Sequence, residues 1–264
     1  ATATAIGLDL HDGANIVENA GQLQVTAYAS ADTTATAFGG QVTAESTSYA
    51  DARGIRTGNG NDLILNTGAI EVSAIAEATG LAQSASASAI GIEAGDGDDT
   101  IINSGSIIAH VEENGTPGSA VGIVAGAGDD QLFLIGDSFV QGAVDLGFGD
   151  DAVTFAENST LVGDITGGAG IDALIVADEN IFVISPPSDM EQFYLNHGTL
   201  EINTSYNLLS NASGGLLQTE INYQRQHTGL LRIDGDTVLS GALEVIAAPY
   251  TYEDGDTFDI VEAD

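Results

Sequence analysis

The sequence predicts an all-β chain folded as a parallel β-solenoid, and three observations predict it. A Gly-x-Gly-x-Asp unit recurs along the chain, closing at Asp62, Asp99, Asp130, Asp151 and Asp172. Short alternating apolar segments follow each unit, and no segment of 1–185 has helical period. Glycine is abundant, 34 of 264 residues, and ten of these form the glycine pairs of the repeated units. Strands of three to six residues cannot bury a face alone, so each repeat needs its neighbours, and stacking repeats as coils satisfies them all.

The elements follow in order within a repeat. The glycine pairs Gly58/Gly60, Gly95/Gly97, Gly126/Gly128, Gly147/Gly149 and Gly168/Gly170 supply positive φ at a turn. A degenerate copy precedes them, with Gly13 and Asn15 in the second-Gly and Asp places. After the Asp comes a strand, such as Leu63-Ile64-Leu65 or Gln131-Leu132-Phe133. The first three copies then turn at Asn19-Ala20-Gly21, Asn66-Thr67-Gly68 and Asn103-Ser104-Gly105, and the three asparagines share one register, which predicts a ladder of stacked amides. A second short strand follows, as in Ile70-Glu71-Val72. Before four of the turns stands a Gly-apolar step: Gly7-Leu8, Gly54-Ile55, Gly91-Ile92 and Gly122-Ile123.

Spacing separates the bare coil from its insertions. Asn15, Asp62, Asp99, Asp130, Asp151 and Asp172 stand 47, 37, 31, 21 and 21 residues apart. Against a bare coil of 21, the first three coils carry about 26, 16 and 10 extra residues. This material alternates with period two, as in Ser84-Ala85-Ser86-Ala87-Ser88-Ala89, which argues for strand despite the alanine. Turn signals at Thr79-Gly80 and Asn114-Gly115 predict hairpin-like arms, shortening along the chain into a tapering flap. The other reading is that they only lengthen one solenoid face.

Composition shifts near Pro186-Pro187, where the repeat unit disappears and aromatics gather, including Phe182, Phe193, Tyr194, Tyr206, Tyr223, Tyr250, Tyr252 and Phe258. This divides the chain into β-helix repeats over 1–185 and a C-terminal cap over 186–264, since an end coil must cover its strand edges.

Charge excludes some partners. Four arginines and no lysine stand against 39 acidic residues, a net charge of −35. Such a chain is not built to neutralise nucleic-acid phosphates or to sit on an anionic membrane. With no cysteine there is no disulfide framework, thiol nucleophile or thiolate metal ligand. No apolar run reaches membrane-spanning length, and Ala1 to Ala5 does not read as a signal peptide, so the expectation is a soluble mature chain or an excised fragment.

The candidate chemistry is in the repeated aspartates. Adjacent pairs such as Asp98-Asp99 would point to opposite faces and not converge as an acid-base pair. Stacking would instead make an Asp ladder at coil spacing, in which like charges must face solvent as turn caps or share a cation. In one reading the Asp side chains accept backbone N–H bonds. In the other, Asp62, Asp99, Asp130, Asp151 and Asp172 bind calcium, the one cofactor the pattern offers, though the fold does not require one. No catalytic residues are assigned: His11, His110, His197 and His227 are scattered, and Arg53 and Arg56 read as partners of nearby carboxylates.

Two families are similar. The Gly-x-Gly-x-Asp units resemble the calcium-binding repeats of RTX proteins, but those run in tandem, whereas here one unit stands in each coil. The runs Leu230-Leu231-Arg232-Ile233-Asp234-Gly235-Asp236-Thr237-Val238-Leu239-Ser240-Gly241-Ala242-Leu243-Glu244-Val245 and Tyr252-Glu253-Asp254-Gly255-Asp256-Thr257-Phe258-Asp259-Ile260-Val261-Glu262-Ala263 resemble the end of a bacterial autotransporter passenger. That resemblance implies a right-handed β-helix ending in an autochaperone segment, exported through the periplasm of a Gram-negative bacterium to the cell surface or medium. It also implies a translocator β-barrel partner, which this chain does not contain, and hence a piece of a longer protein. The function it implies is that of a non-enzymatic adhesin or stalk with a host-cell or glycan ligand. A calcium-binding extracellular repeat protein and a β-helix polysaccharide-active enzyme are the alternatives.

Overall fold

The computed structural model describes residues 1–33, 45–80, 82–196, 198–202, 215–222, 227–234, 241–247 and 258–263. Among these the chain forms 26 strands and no helix, so no helix is present to cross a membrane. Sheet I stacks β1 (Thr2–Asp9), β4 (Glu45–Asn59), β7 (Ala82–Asp96), β11 (Val121–Ala127), β14 (Ala143–Phe148) and β17 (Ile165–Ala169). Sheet II stacks β3 (Gln22–Asp32), β6 (Ala69–Thr79), β9 (Ser106–Glu113), β13 (Phe139–Gln141) and β16 (Thr160–Val162), with β10 (Thr116–Pro117) beside β9. Sheet III stacks β2 (Ile16–Asn19), β5 (Leu63–Asn66), β8 (Thr100–Asn103), β12 (Gln131–Leu134), β15 (Ala152–Phe155), β18 (Ala173–Val176), β20 (Gln192–Leu195), β22 (Leu216–Asn222) and β25 (Ala242–Ala247), with β23 (His227–Thr228) also on β22. Sheet IV stacks β19 (Ile181–Ile184), β21 (Thr199–Ile202), β24 (Leu230–Ile233) and β26 (Val261–Ala263).

Successive coils pair in parallel throughout the four sheets; the β9–β10 and β22–β23 pairs are the antiparallel ones among the described residues. The register aligns equivalent positions of each repeat, because a two-residue side-chain period leaves one correct pairing for a buried face. In sheet III one row runs Val17, Ile64, Ile101, Leu132, Val153, Leu174, Phe193 and Leu217. All eight are buried and form part of a single apolar core.

The next inward row begins with Asn19, Asn66 and Asn103 and continues as Leu134, Phe155, Val176 and Leu195. The amides do stack: Asn19 Nδ2 donates to Asn66 Oδ1 at 2.7 Å, and Asn66 Nδ2 to Asn103 Oδ1 at 2.7 Å. Asn66 and Asn103 are fully buried, so each amide depends on its neighbours. Asn66→Ala strands a donor on Asn19 and an acceptor on Asn103 and is expected to cost about 2 kcal/mol, read from the urea unfolding midpoint.

The insertions differ from the expected hairpin arms in their pairing. Among the described residues of the first two inserts the strands do not pair back on themselves. Instead β3 pairs with β6 over Gln22–Asp32, and β4 with β7 from Glu45 to Asn59, each in parallel with the next coil. Sheets I and II therefore run on past the core face to face. The inward residues of this extension are small: Ala27, Ala29, Ala74 and Ala76 from one side, Ser46, Ser48, Ala50 and Ala52 from the other, all buried. That is why the inserts alternate Ala and Ser: inward-facing methyl and hydroxymethyl groups let two sheets approach closely. At the Gly-apolar step Gly54 and Ile55 are both buried, so the alternation slips by one residue where the long strand enters the main core. Among the described residues the third insert ends in a hairpin, β9–β10, whose turn Asn114-Gly115 has φ of 50° and 74°.

Beyond Pro186-Pro187 the stack changes rather than ends. Sheet I closes with a bridge from Thr166 to Ser188. Sheet III crosses the boundary unbroken, and sheet IV continues beside it. The described C-terminal strands of sheets III and IV continue the parallel pairing of the repeats. The aromatics Phe182 and Phe193 are buried in the same core, while Tyr206, Tyr223, Tyr250 and Tyr252 lie outside the described residues. The last parallel strand of sheet III, β25, leaves Leu243 and Val245 of its inner rows exposed.

Candidate functional site: the aspartate edge of the coils

Each Gly-x-Gly-x-Asp unit turns the chain from sheet I into sheet III. Both glycines have positive φ, 98–128° at the first position and 125–154° at the second. They are also stacked on one another: a Cβ on Gly126 would fall 1.7 Å from the Gly95 carbonyl oxygen, and one on Gly170 would fall 1.7 Å from that of Gly149. The turns can thus lie directly over one another only if both positions lack a side chain.

The five aspartates that close the turns are brought into one file, and they do not face solvent. Asp62, Asp99, Asp130, Asp151 and Asp172 are each at most 3% exposed. The expectation of solvent-facing turn caps is corrected by their burial, and the expectation that they accept backbone N–H bonds is met by their bonding. Asp62 Oδ1 accepts the Asn15 N–H at 2.6 Å, Asp99 Oδ1 that of Asp62 at 2.7 Å, and Asp130 Oδ1 that of Asp99 at 2.8 Å. Asp151 Oδ1 accepts the Asp130 N–H at 2.7 Å, and Asp172 Oδ1 that of Asp151 at 2.9 Å. Each carboxylate therefore reaches back one coil and satisfies a backbone donor that the turn has left free.

The file has one more member than the motif marks. Glu191 Oε2 accepts the Asp172 N–H at 2.9 Å. No Gly-x-Gly precedes Glu191, so a search for the unit passes over it. The signal was its place: an acidic residue directly before the alternating strand Gln192–Leu195, as Asp172 stands before Ala173–Val176.

A second file lies outside the first and runs the other way. Asn61 Oδ1 accepts the Asp98 N–H at 3.1 Å, Asp98 Oδ1 that of Asp129 at 3.0 Å, Asp129 Oδ1 that of Asp150 at 2.9 Å, and Asp150 Oδ1 that of Ile171 at 2.8 Å. Here each side chain reaches forward one coil. Adjacent Asp residues do point to opposite faces, and the consequence is a turn edge clamped in both directions.

Burial sets the electrostatics of the inner file. Burial pushes Asp99 and Asp172 up to about 6 and Asp130 up to about 7, and it raises Asp151 as well. The N–H bonds to Oδ1 pull these values down, and neighbouring carboxylates push them further up. As candidate calcium ligands the five stand in single file with one oxygen already spent on a backbone donor. No group of three or more His, Asp or Glu side chains placed to hold a metal ion occurs among the described residues.

The other candidate side chains are not gathered into a site. Arg56 makes a two-pronged pair with Asp9 at 2.6 and 2.9 Å, and Arg53 pairs with Asp51 and Glu93. Arg232 bridges Glu201 and Glu262. His110 lies 3.7 Å from Glu112, and His197 is outside the described residues. A cleft of about 200 Å³ opens between β16 and β19, where sheet II stops and sheet IV begins, lined by Phe155, Ser159, Leu161, Phe182 and Ile184 among others. It holds no titratable group.

Fold and turn edge together define a parallel β-solenoid whose repeated Asp residues hold one coil to the next. The chain matches no protein-family profile, no curated protein and no solved structure.

Proposed function

We propose that the chain is a structural and adhesive segment of a surface-displayed or secreted bacterial protein of the autotransporter-passenger kind. In this reading it is a right-handed β-helix exported through the periplasm with the help of a translocator barrel. The observation that carries this reading is the unbroken parallel stacking of sheet III from Ile16 to Ala247. Nine strands in that file span about 38 Å at the interstrand spacing. A rigid rod of this kind separates what lies at its two ends, and its repeated surface suits holding or attachment.

The adhesive face is the outer side of the extended sheet II. There Tyr28 is half exposed, and Gln24, Thr26 and His110 are exposed around it. The register sets Tyr28 beside Ile75 and Glu112, and Thr26 beside Ser73 and His110, as a flat array of aromatic, hydroxyl and carboxylate groups. A host-cell glycan is the ligand class this face suits, because aromatic faces stack on sugars and the polar groups bond hydroxyls.

Two measurements test the reading. Beads coated with the chain are expected to bind mammalian cells or a glycan array, and Tyr28→Ala with His110→Ala to reduce that binding at least about tenfold without changing the unfolding midpoint. Absence of binding by the parent chain would remove the adhesive half. Deleting Leu230 to Ala263 is expected to slow refolding by nucleating fewer C-terminal coils, and unchanged refolding would remove the autochaperone role.

A further inference from the structure

The inner Asp file contains a feature that its stacking role does not use. In Asp62, Asp99, Asp130, Asp151 and Asp172 alike, Oδ1 is bonded to a backbone N–H, while Oδ2 is buried with no hydrogen-bond partner. A Cβ built on Gly167 would sit 2.7 Å from Asp172 Oδ2, which shows that this oxygen points inward across its turn toward β17. An ionised carboxylate can only accept, so an oxygen held there without a donor carries its desolvation cost unrelieved.

The surroundings add no compensating charge. Acting on the inner file are its own members, Asp98, Asp129 and Asp150 of the outer file, Asp96 and Asp145 from sheet I, and Glu191 at the end. The cations of these coils are engaged elsewhere, Arg53 with Asp51 and Glu93, and Arg56 with Asp9. At the first coil the file ends on Asn15, an amide bonded to the carbonyls of His11 and Gly13.

We propose that Asp99, Asp130, Asp151 and Asp172 form a proton-loaded spine, so that mild acid tightens the solenoid and ionisation of the file toward alkaline pH loosens its stacked turns. Protonation removes the buried charge and keeps the Oδ1 acceptor that holds the neighbouring coil. The sign follows from linkage. These carboxyls titrate higher in the folded chain than the ordinary 3.8, so the folded chain holds more protons than the unfolded chain between that value and about 7. Stability is greatest at the acid side of that window and is lost as pH rises through about 6 to 7.

The test is thermal unfolding of the full chain from about pH 8 to about pH 5 at fixed ionic strength, in wild type, Asp130→Asn and the exposed control Asp129→Asn. The control removes the same charge from the outer file, and so accounts for general relief of the −35 net charge. Wild type is expected to gain about 5 °C or more on acidification. Asp130→Asn should unfold at a higher temperature than wild type near pH 8 and show a smaller gain, while Asp129→Asn keeps the wild-type gain. Equal pH dependence in the two variants would overturn the proposal. Should Asp130→Asn not fold, infrared titration of the wild-type chain decides. A protonated-carboxyl band persisting above about pH 5.5 supports the spine, and its disappearance with the ordinary surface carboxylates overturns it.

Discussion

Gly126→Ala is expected to destabilise the solenoid by more than about 3 kcal/mol, enough to unfold the chain or to break the stack at that coil. Two costs combine. The residue has a φ of 128°, which an alanine adopts only under strain. Its added Cβ would lie 1.7 Å from the Gly95 carbonyl oxygen, a backbone atom that cannot move without shifting a whole turn. Gly13→Ala separates the two, because Gly13 has nearly the same φ of 127° but nothing within 4 Å of the new Cβ. If the stacking argument is right, Gly13→Ala costs the dihedral strain alone, about 1–3 kcal/mol, and Gly126→Ala clearly more. Chemical denaturation of the two variants side by side measures the difference, and equal losses would remove close approach as the reason for the glycines.

Phe155→Ala is the second large effect, expected at about 3–5 kcal/mol. Phe155 is fully buried in the inward row of sheet III that the three asparagines begin. Its ring meets Phe182 with centroids 5.8 Å apart and planes tilted by 47°. The pair joins a repeat coil to the first strand of sheet IV, beside the cleft where sheet II stops, so truncation would enlarge an existing space at that join. The unfolding transition is expected to broaden or split as the coils on either side uncouple, since a solenoid's stability is a sum over neighbouring interfaces. A single transition with a shift under about 1 kcal/mol would show that the join is held elsewhere, along sheet III.

Both predictions bear on function in the same way. A stalk works only as one cooperative rod, and an adhesive flank made of parallel strands from several coils is presented only while those coils remain in register. The acid-tightened turn edge would make that cooperativity respond to the surrounding pH.

What the sequence determined by itself was everything set by period. Repeats at 47, 37, 31, 21 and 21 residues, glycine pairs at the turns and an acidic residue before each strand dictate stacked coils, because no short strand can bury its face alone. The Asn19, Asn66 and Asn103 ladder was legible for the same reason: one register position carries one amide per coil. The five Asp residues were legible as a file, but not their environment. Whether a carboxylate one residue past a glycine turns outward or folds under the next coil depends on the path of the backbone at the turn, and only the stacked structure shows Oδ1 reaching the preceding coil's N–H. Glu191 escaped notice because its longer side chain reaches the same donor from a turn without glycines. The inserts were read correctly as strands; of the two readings left open, the described strands of the first two inserts extend the solenoid faces and the third ends in a hairpin. Alternation reports that one face is buried, yet it is silent on whether the hydrogen-bonding partner lies in the same coil or the next. That choice is made by tertiary structure, where small Ala and Ser side chains let sheets I and II lie face to face and leave their backbones to pair along the stack.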